Sequence, residues 1–178
     1  KNKYKVRIRS YVNSNICFLE IKKKNVHGRT MKMRIQRTSE KWDSPLTDFE
    51  KRFLSERVPF ASELSPVLYI SYSRFTLAQL NRCERITLDT DLTYTTIQGE
   101  ISKPLNGLVV VELKQAETDR RSPLFVFLRS MPERTTQLGR IIKISKYVLG
   151  RLSSDDSLSP RTYLSKLKVL RRATKAIT

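Results

Sequence analysis

A chain of 178 residues, 39% of them hydrophobic, suits one cored domain, and no apolar run approaches the roughly 20 residues that span a bilayer. Its 35 Lys and Arg against 17 Asp and Glu leave a net charge of +18, a self-repulsion that folding does not reward and that points to an anionic partner. One histidine, His27, and two cysteines, Cys17 and Cys83, exclude a His-rich metal centre and leave no second imidazole for a serine or cysteine triad.

Strand patterns come first, over residues 4–12, 16–24 and 30–37, separated by Asn13-Ser14-Asn15 and by Asn25-Val26-His27-Gly28, which punctuate hairpins. After a polar break with Trp42, Ser44-Pro45 reads as an N-cap and first helical residue. Leu46, Phe49 and Phe53 then recur at helical spacing over about 45–57. Strand patterns return at 67–77, 83–91 and 107–114, with loops around Gly99 and 103–107. Tyr69, Phe75, Phe125 and Phe127 sit in apolar, strand-like contexts and are expected in the core. Leu138, Ile141, Ile142, Ser145 and Leu149 share a helical face closed by Gly150. A Ser/Asp-rich linker over 153–160 leads to a basic helix over 161–172, whose polar side is a solvated face or a weak membrane-surface contact. The expected class is α+β. Cys17 and Cys83, without metal or redox spacing, predict a reduced, cytoplasmic protein with both thiols structural. Because Lys1 is not Met and runs almost directly into a strand, a fragment of a longer chain is expected.

Residues two apart on a strand share a face. Lys5, Arg7 and Arg9 therefore oppose Val6 and Ile8; Glu20, Lys22 and Lys24 oppose Leu19 and Ile21; Lys32 and Arg34 oppose Met31, Met33 and Ile35. Arg85, Thr87, Asp89 and Asp91 oppose Ile86 and Leu88, while Glu112 and Lys114 oppose Val109, Val111 and Leu113. A wet outer face explains any one such strand. Solubility surfaces mix signs, however, whereas these faces are mostly cationic. Closed inward, they would make a basic tunnel in which Glu20 and Glu112 could hold a hard divalent ion. With no GxxxxGK or GxGxxG among its five glycines, the chain would bind phosphate through Arg forks and Lys ammoniums. A chain of phosphates suits such a lumen better than nucleic acid, for which aromatic platforms or a recognition helix are usual.

Arg7-Ile8-Arg9 with Tyr11, Leu19-Glu20-Ile21-Lys22, Lys32-Met33-Arg34, Tyr72-Ser73-Arg74, Arg85-Ile86-Thr87-Leu88-Asp89-Thr90, Val111-Glu112-Leu113-Lys114 and Ser145-Lys146-Tyr147-Val148 follow in that order. Together, over about residues 4–150, they resemble the VTC-type polyphosphate polymerase domain of the triphosphate tunnel (CYTH-like) superfamily. The resemblance implies an antiparallel β-tunnel with inserted and C-terminal helices over 1–152, followed by a linker and helix over 153–178. It implies a metal-dependent phosphotransferase that moves the γ-phosphate of ATP to inorganic polyphosphate with Mn²⁺ or Mg²⁺. Arg7, Arg9, Arg74 and Arg85 would be catalytic. Lys22, Lys32, Arg34, Lys114, Ser145, Lys146 and Tyr147 would bind phosphates, with Lys32 and Arg34 the less diagnostic matches. Glu112 would bind the metal, or pair with Lys22 or Lys114. The family's further N-terminal strands and a catalytic basic residue are not in this sequence, so a truncated, inactive tunnel is one expectation. A tunnel triphosphatase or adenylyl cyclase, and a non-catalytic polyanion or RNA binder, are the other readings.

Overall fold

Three antiparallel strands, β1 (Lys3–Tyr11), β2 (Ile16–Lys24) and β3 (Thr30–Gln36), pair in that order within one compact unit, residues 1–65. They belong to a computed structural model that describes residues 2–37, 42–79, 81, 83–102, 108–130, 145–155, 161 and 164. Asn and Gly set the turns. Asn15, at φ 47°, follows a 3-10 turn over Val12–Ser14, and Gly28, at φ 82°, turns the chain between β2 and β3. There the Asn25 Oδ1 accepts from the Arg29 N–H at 2.8 Å. Both turns fix the register, so Lys22 lies opposite Lys5 on one side and Lys32 on the other.

The apolar side of this sheet packs on α1 (Asp48–Ser55) and the segment after it. Leu19, Ile21, Phe53, Leu54 and Val58 are buried together, with Tyr4, Val6, Met33 and Ile35 against them. Cys17 is buried in β2, and burial pushes its thiol up, away from reactivity. The helix does not start at Ser44-Pro45. Thr47 caps it, accepting from the Glu50 N–H at 3.3 Å while Glu50 Oε2 accepts from the Thr47 N–H at 2.9 Å. Arg37 explains the displacement. Its guanidinium donates to the carbonyls of Trp42 (2.7 Å), Ser44 (2.9 Å) and Pro45 (3.2 Å), holding them as a loop, and to Glu50 Oε1 at 2.7 Å.

The second unit, residues 66–178, is built on a long central strand. β5 (Glu84–Thr96) pairs antiparallel with β4 (Leu68–Gln79), β6 (Ile101–Ser102) and β7 (Val110–Lys114). Cys83 precedes it, exposed and at φ 49° rather than inside a strand. Ser73 lies opposite Thr90 and Ser71 opposite Thr93, so β5 carries one extra residue there, with Asp91 at φ 54°. The bulge breaks the expected alternation: Asp91 leaves the face of Asp89, and Leu92 and Tyr94 take it over. They pack with Leu149 of α3 (Lys146–Ser154) and with Leu68, Ile70, Tyr72 and Val110.

Gly150 lies inside α3 rather than closing a helix, because a methyl there would overlap the side chains of Tyr94 and Leu68. Ser153 and Ser154, expected in a linker, end the same helix; Leu138, Ile141, Ile142, the 103–107 loop and most of the 161–172 segment lie outside the described residues. Phe125 and Phe127 belong to a helix, α2 (Pro123–Ser130), not to strands. Ser122 Oγ accepts from the Phe125 N–H at 3.1 Å, and Pro123 opens the first turn. Of the aromatics expected in the core, Phe125 is buried, whereas Phe75 and Phe127 are exposed. Among the described residues the strands pair as two separate antiparallel sheets with no closed barrel, and no helix is long and apolar enough to cross a membrane.

Glu50→Ala, which strands the buried Arg37 charge, should lower unfolding free energy by about 3–5 kcal/mol in urea titrations. Gly150→Ala should cost about 1–3 kcal/mol by overpacking, despite alanine's better helix propensity.

Candidate functional site

With the core under one side of the first sheet, the other side presents rows of cations. Lys5, Lys22 and Lys32 form one row across the three strands; Arg7, Glu20 and Arg34 form the next; Arg9, Phe18 and Gln36 the third. Glu20 is the single carboxylate on these strands. Its Oε2 accepts from Arg7 at 2.6 Å and lies 3.5 Å from Arg9 Nε. Glu20, expected as a metal oxygen, thus already holds two guanidiniums. Arg34 lies 4.5 Å over the Phe18 ring and Arg9 5.7 Å over Tyr11, contacts that orient both forks without neutralising them. Five of the predicted residues, Arg7, Arg9, Lys22, Lys32 and Arg34, therefore share one surface.

A second cluster stands on the second unit. Arg74 on β4 lies opposite Asp89 on β5 and donates to it twice, from Nε at 2.5 Å and from Nη2 at 2.7 Å. Lys146, the first residue of α3, ion-pairs with the same carboxylate. Both cations sit over the Tyr72 ring, at 5.2 and 5.0 Å. Burial alone would raise the Asp89 carboxyl; the hydrogen bonds from Arg74 and Lys146 outweigh it and hold the group below its usual range. The Asp89 hydrogen bond in turn raises Arg74 further, so the cation stays charged.

Neighbouring strands carry the rest. Arg85 lies in register with Lys114, and Glu112 with Thr87. Glu112 lies 3.4 Å from Lys114, one of the pairings its sequence position allowed. Ser145 occupies the N-cap of α3 without a side-chain capping bond, and Tyr147 is exposed on that helix. No group of three metal-ligating side chains occurs among the described residues. A lone carboxylate such as Glu112 fits a divalent ion that arrives with phosphate oxygens and water as its remaining ligands, and does not fit a resident metal.

Asp89 and Tyr72 are the members that sequence reading left without a role. The available signal was an aspartate inside a strand pattern, where Asp is depleted unless something holds it.

The family model for the VTC domain matches residues 1–154, and the chain belongs to that family. No curated protein and no solved structure matches it.

Because Asp89 is held below the ordinary carboxyl value of about 3.9, the stability it contributes is complete above about pH 4 and disappears as pH falls through its lowered folded value. The stability difference between wild type and Asp89→Asn, measured by urea titration, should therefore be constant from about pH 7 to 5 and shrink below about pH 4.

Proposed function

We propose that this chain is a polyphosphate polymerase-type phosphotransferase, binding ATP and inorganic polyphosphate through its Arg and Lys side chains in the tunnel fold that its family implies. The supporting observation is the cationic side of the first sheet. There Lys22 faces lysines on both neighbouring strands, and Glu20, the one carboxylate on those strands, is taken up by Arg7 and Arg9. A surface shaped for solubility would interleave acids at those positions. Phosphates repeating along a chain would supply negative charge to Lys22, Lys32 and Arg34 from one row to the next.

In the reaction proposed, a terminal oxygen of polyphosphate attacks the γ-phosphorus of ATP. The bond to the β–γ bridging oxygen breaks, and ADP leaves carrying that electron pair. The protein's part is to bring two polyanions together and hold attacking and leaving oxygens in line, which dense cationic compensation makes feasible. Arg7, Arg9, Arg74 and Arg85 suit the transferred group, since a guanidinium stays charged and can bind two oxygens at once. Lys22, Lys32, Arg34, Lys114, Lys146, Ser145 and Tyr147 would hold the flanking phosphates. Mn²⁺ or Mg²⁺, bound to phosphate oxygens and Glu112, would supply charge neutralisation on the transferring group.

Incubation with ATP and Mn²⁺ should give long polymer and ADP. Arg7→Ala, Arg85→Ala and Glu112→Gln should each lower polymer formation about a hundredfold, the loss of roughly 2–4 kcal/mol of transition-state stabilisation, with circular dichroism unchanged. Release of inorganic phosphate alone would indicate a triphosphatase, and cyclic AMP a cyclase. Salt-sensitive RNA binding without turnover in any metal would replace the enzymatic reading by a binding one.

A further inference from the structure

Asp89 combines two properties that conflict unless its cations matter. It is 0% exposed at the centre of β5, and it is charged. On one side of it along that face, Leu92, Tyr94 and Val110 belong to an apolar cluster in which a hydrophobic side chain would pack without the desolvation cost of a carboxylate. Both oxygens are used: Oδ1 by Arg74 Nε, Oδ2 by Arg74 Nη2 and Lys146. The cations come from different elements, β4 and α3, and among the described residues Asp89 and the Tyr72 ring are the side chains set against both of them. Their side chains are 27% and 18% exposed, so an incoming anion meets the cations and not the acid behind them.

We propose that Asp89 is a positioning residue that fixes Arg74 and Lys146 as a two-cation phosphate clamp and stays bonded to both while phosphate is held. The inference rests on the phosphate-binding function proposed above. Asp89 between two cations leaves a net positive charge, since Glu112, the other carboxylate acting on Arg74, is paired with Lys114. Of the five guanidinium N–H groups, the bonds to Asp89 use the Nε side, which leaves both Nη1 donors for a phosphate; the ammonium keeps two of its three. Tyr72 restricts both side chains from below, so less freedom is lost when an anion binds.

The test is calorimetric titration of the full chain with inorganic tripolyphosphate, in a cycle of four proteins: wild type, Asp89→Asn, Arg74→Leu with Lys146→Met, and the triple variant. Asp89→Asn should weaken binding about tenfold or more in the wild-type background and less than about twofold where both cations are gone. An equal loss in both backgrounds would mean a general structural role and overturn the proposal. Unchanged or tighter binding by Asp89→Asn would overturn it too, while leaving the phosphate-binding reading intact. Failure of the wild type to bind tripolyphosphate would remove that reading and this one with it. Should Asp89→Asn not fold, the wild type suffices. The Lys146 ammonium signal, followed by nitrogen NMR, should keep its hydrogen-bonded, slowly exchanging character at saturating tripolyphosphate; its loss would show phosphate displacing Asp89 and contradict the proposal.

Discussion

Three ammonium groups side by side are an expensive thing to build into a sheet, and the first unit places Lys5, Lys22 and Lys32 in one row across β1, β2 and β3. Like charges directly opposite each other on neighbouring strands cost about 0.2–1 kcal/mol per pair, with salt and solvent screening the rest. The opposite side of the same strands outweighs that. Leu19 and Ile21 are each 1% exposed, and full burial of such side chains contributes about 1.5–3 kcal/mol apiece. The core therefore holds the repelling row in place, since a one-residue slip of β2 would bury its lysines and expose its leucine and isoleucine. A concentration of like charge results, set in place by the apolar packing on the other side of the strands.

The second unit concentrates charge by different means. There a buried carboxylate collects Arg74 and Lys146, and the bulge at Asp91 makes the arrangement compatible with a core. Without the extra residue, strict alternation would carry Leu92 and Tyr94 to the far side of β5, away from Leu149. One irregularity thus lets polar residues in the first half of the strand and apolar residues in the second share a face. Around Lys22 the cations repel and are held apart by backbone register; around Asp89 they are drawn together by a shared anion. Both arrangements leave N–H donors for a ligand rich in phosphate oxygens.

Much of this was legible from alternation alone. The three strands of the first unit and the face on which each carries its cations follow from period-two patterning with Asn and Gly at the turns, and β2 runs over the residues that pattern marks; which cations lie opposite one another does not. What pattern cannot show is where the period breaks. Residue spacing gives no sign of the phase change in β5, and strict alternation puts Asp91 with Asp89. A Ser-Pro pair also has two readings: at Ser122-Pro123 it opens a helix, while at Ser44-Pro45 it is a loop held by Arg37. Gly150 looked like a stop signal because its real constraint, the nearness of Tyr94 and Leu68, comes from residues distant in sequence. Cationic residues were found by type, but the acid that organises two of them was not, since burial and partnership are properties of the folded chain.

The central claim is that the rows of like charge exist to meet a chain of phosphates, and thermal unfolding of the full chain in inorganic tripolyphosphate tests it most directly. Specific binding to the folded state raises the midpoint progressively with ligand concentration, by mass action. The melting temperature should climb with added tripolyphosphate well beyond its value in sodium chloride of matched ionic strength. Equal stabilisation by the two salts would show that screening is all the cationic rows require, and would contradict the claim.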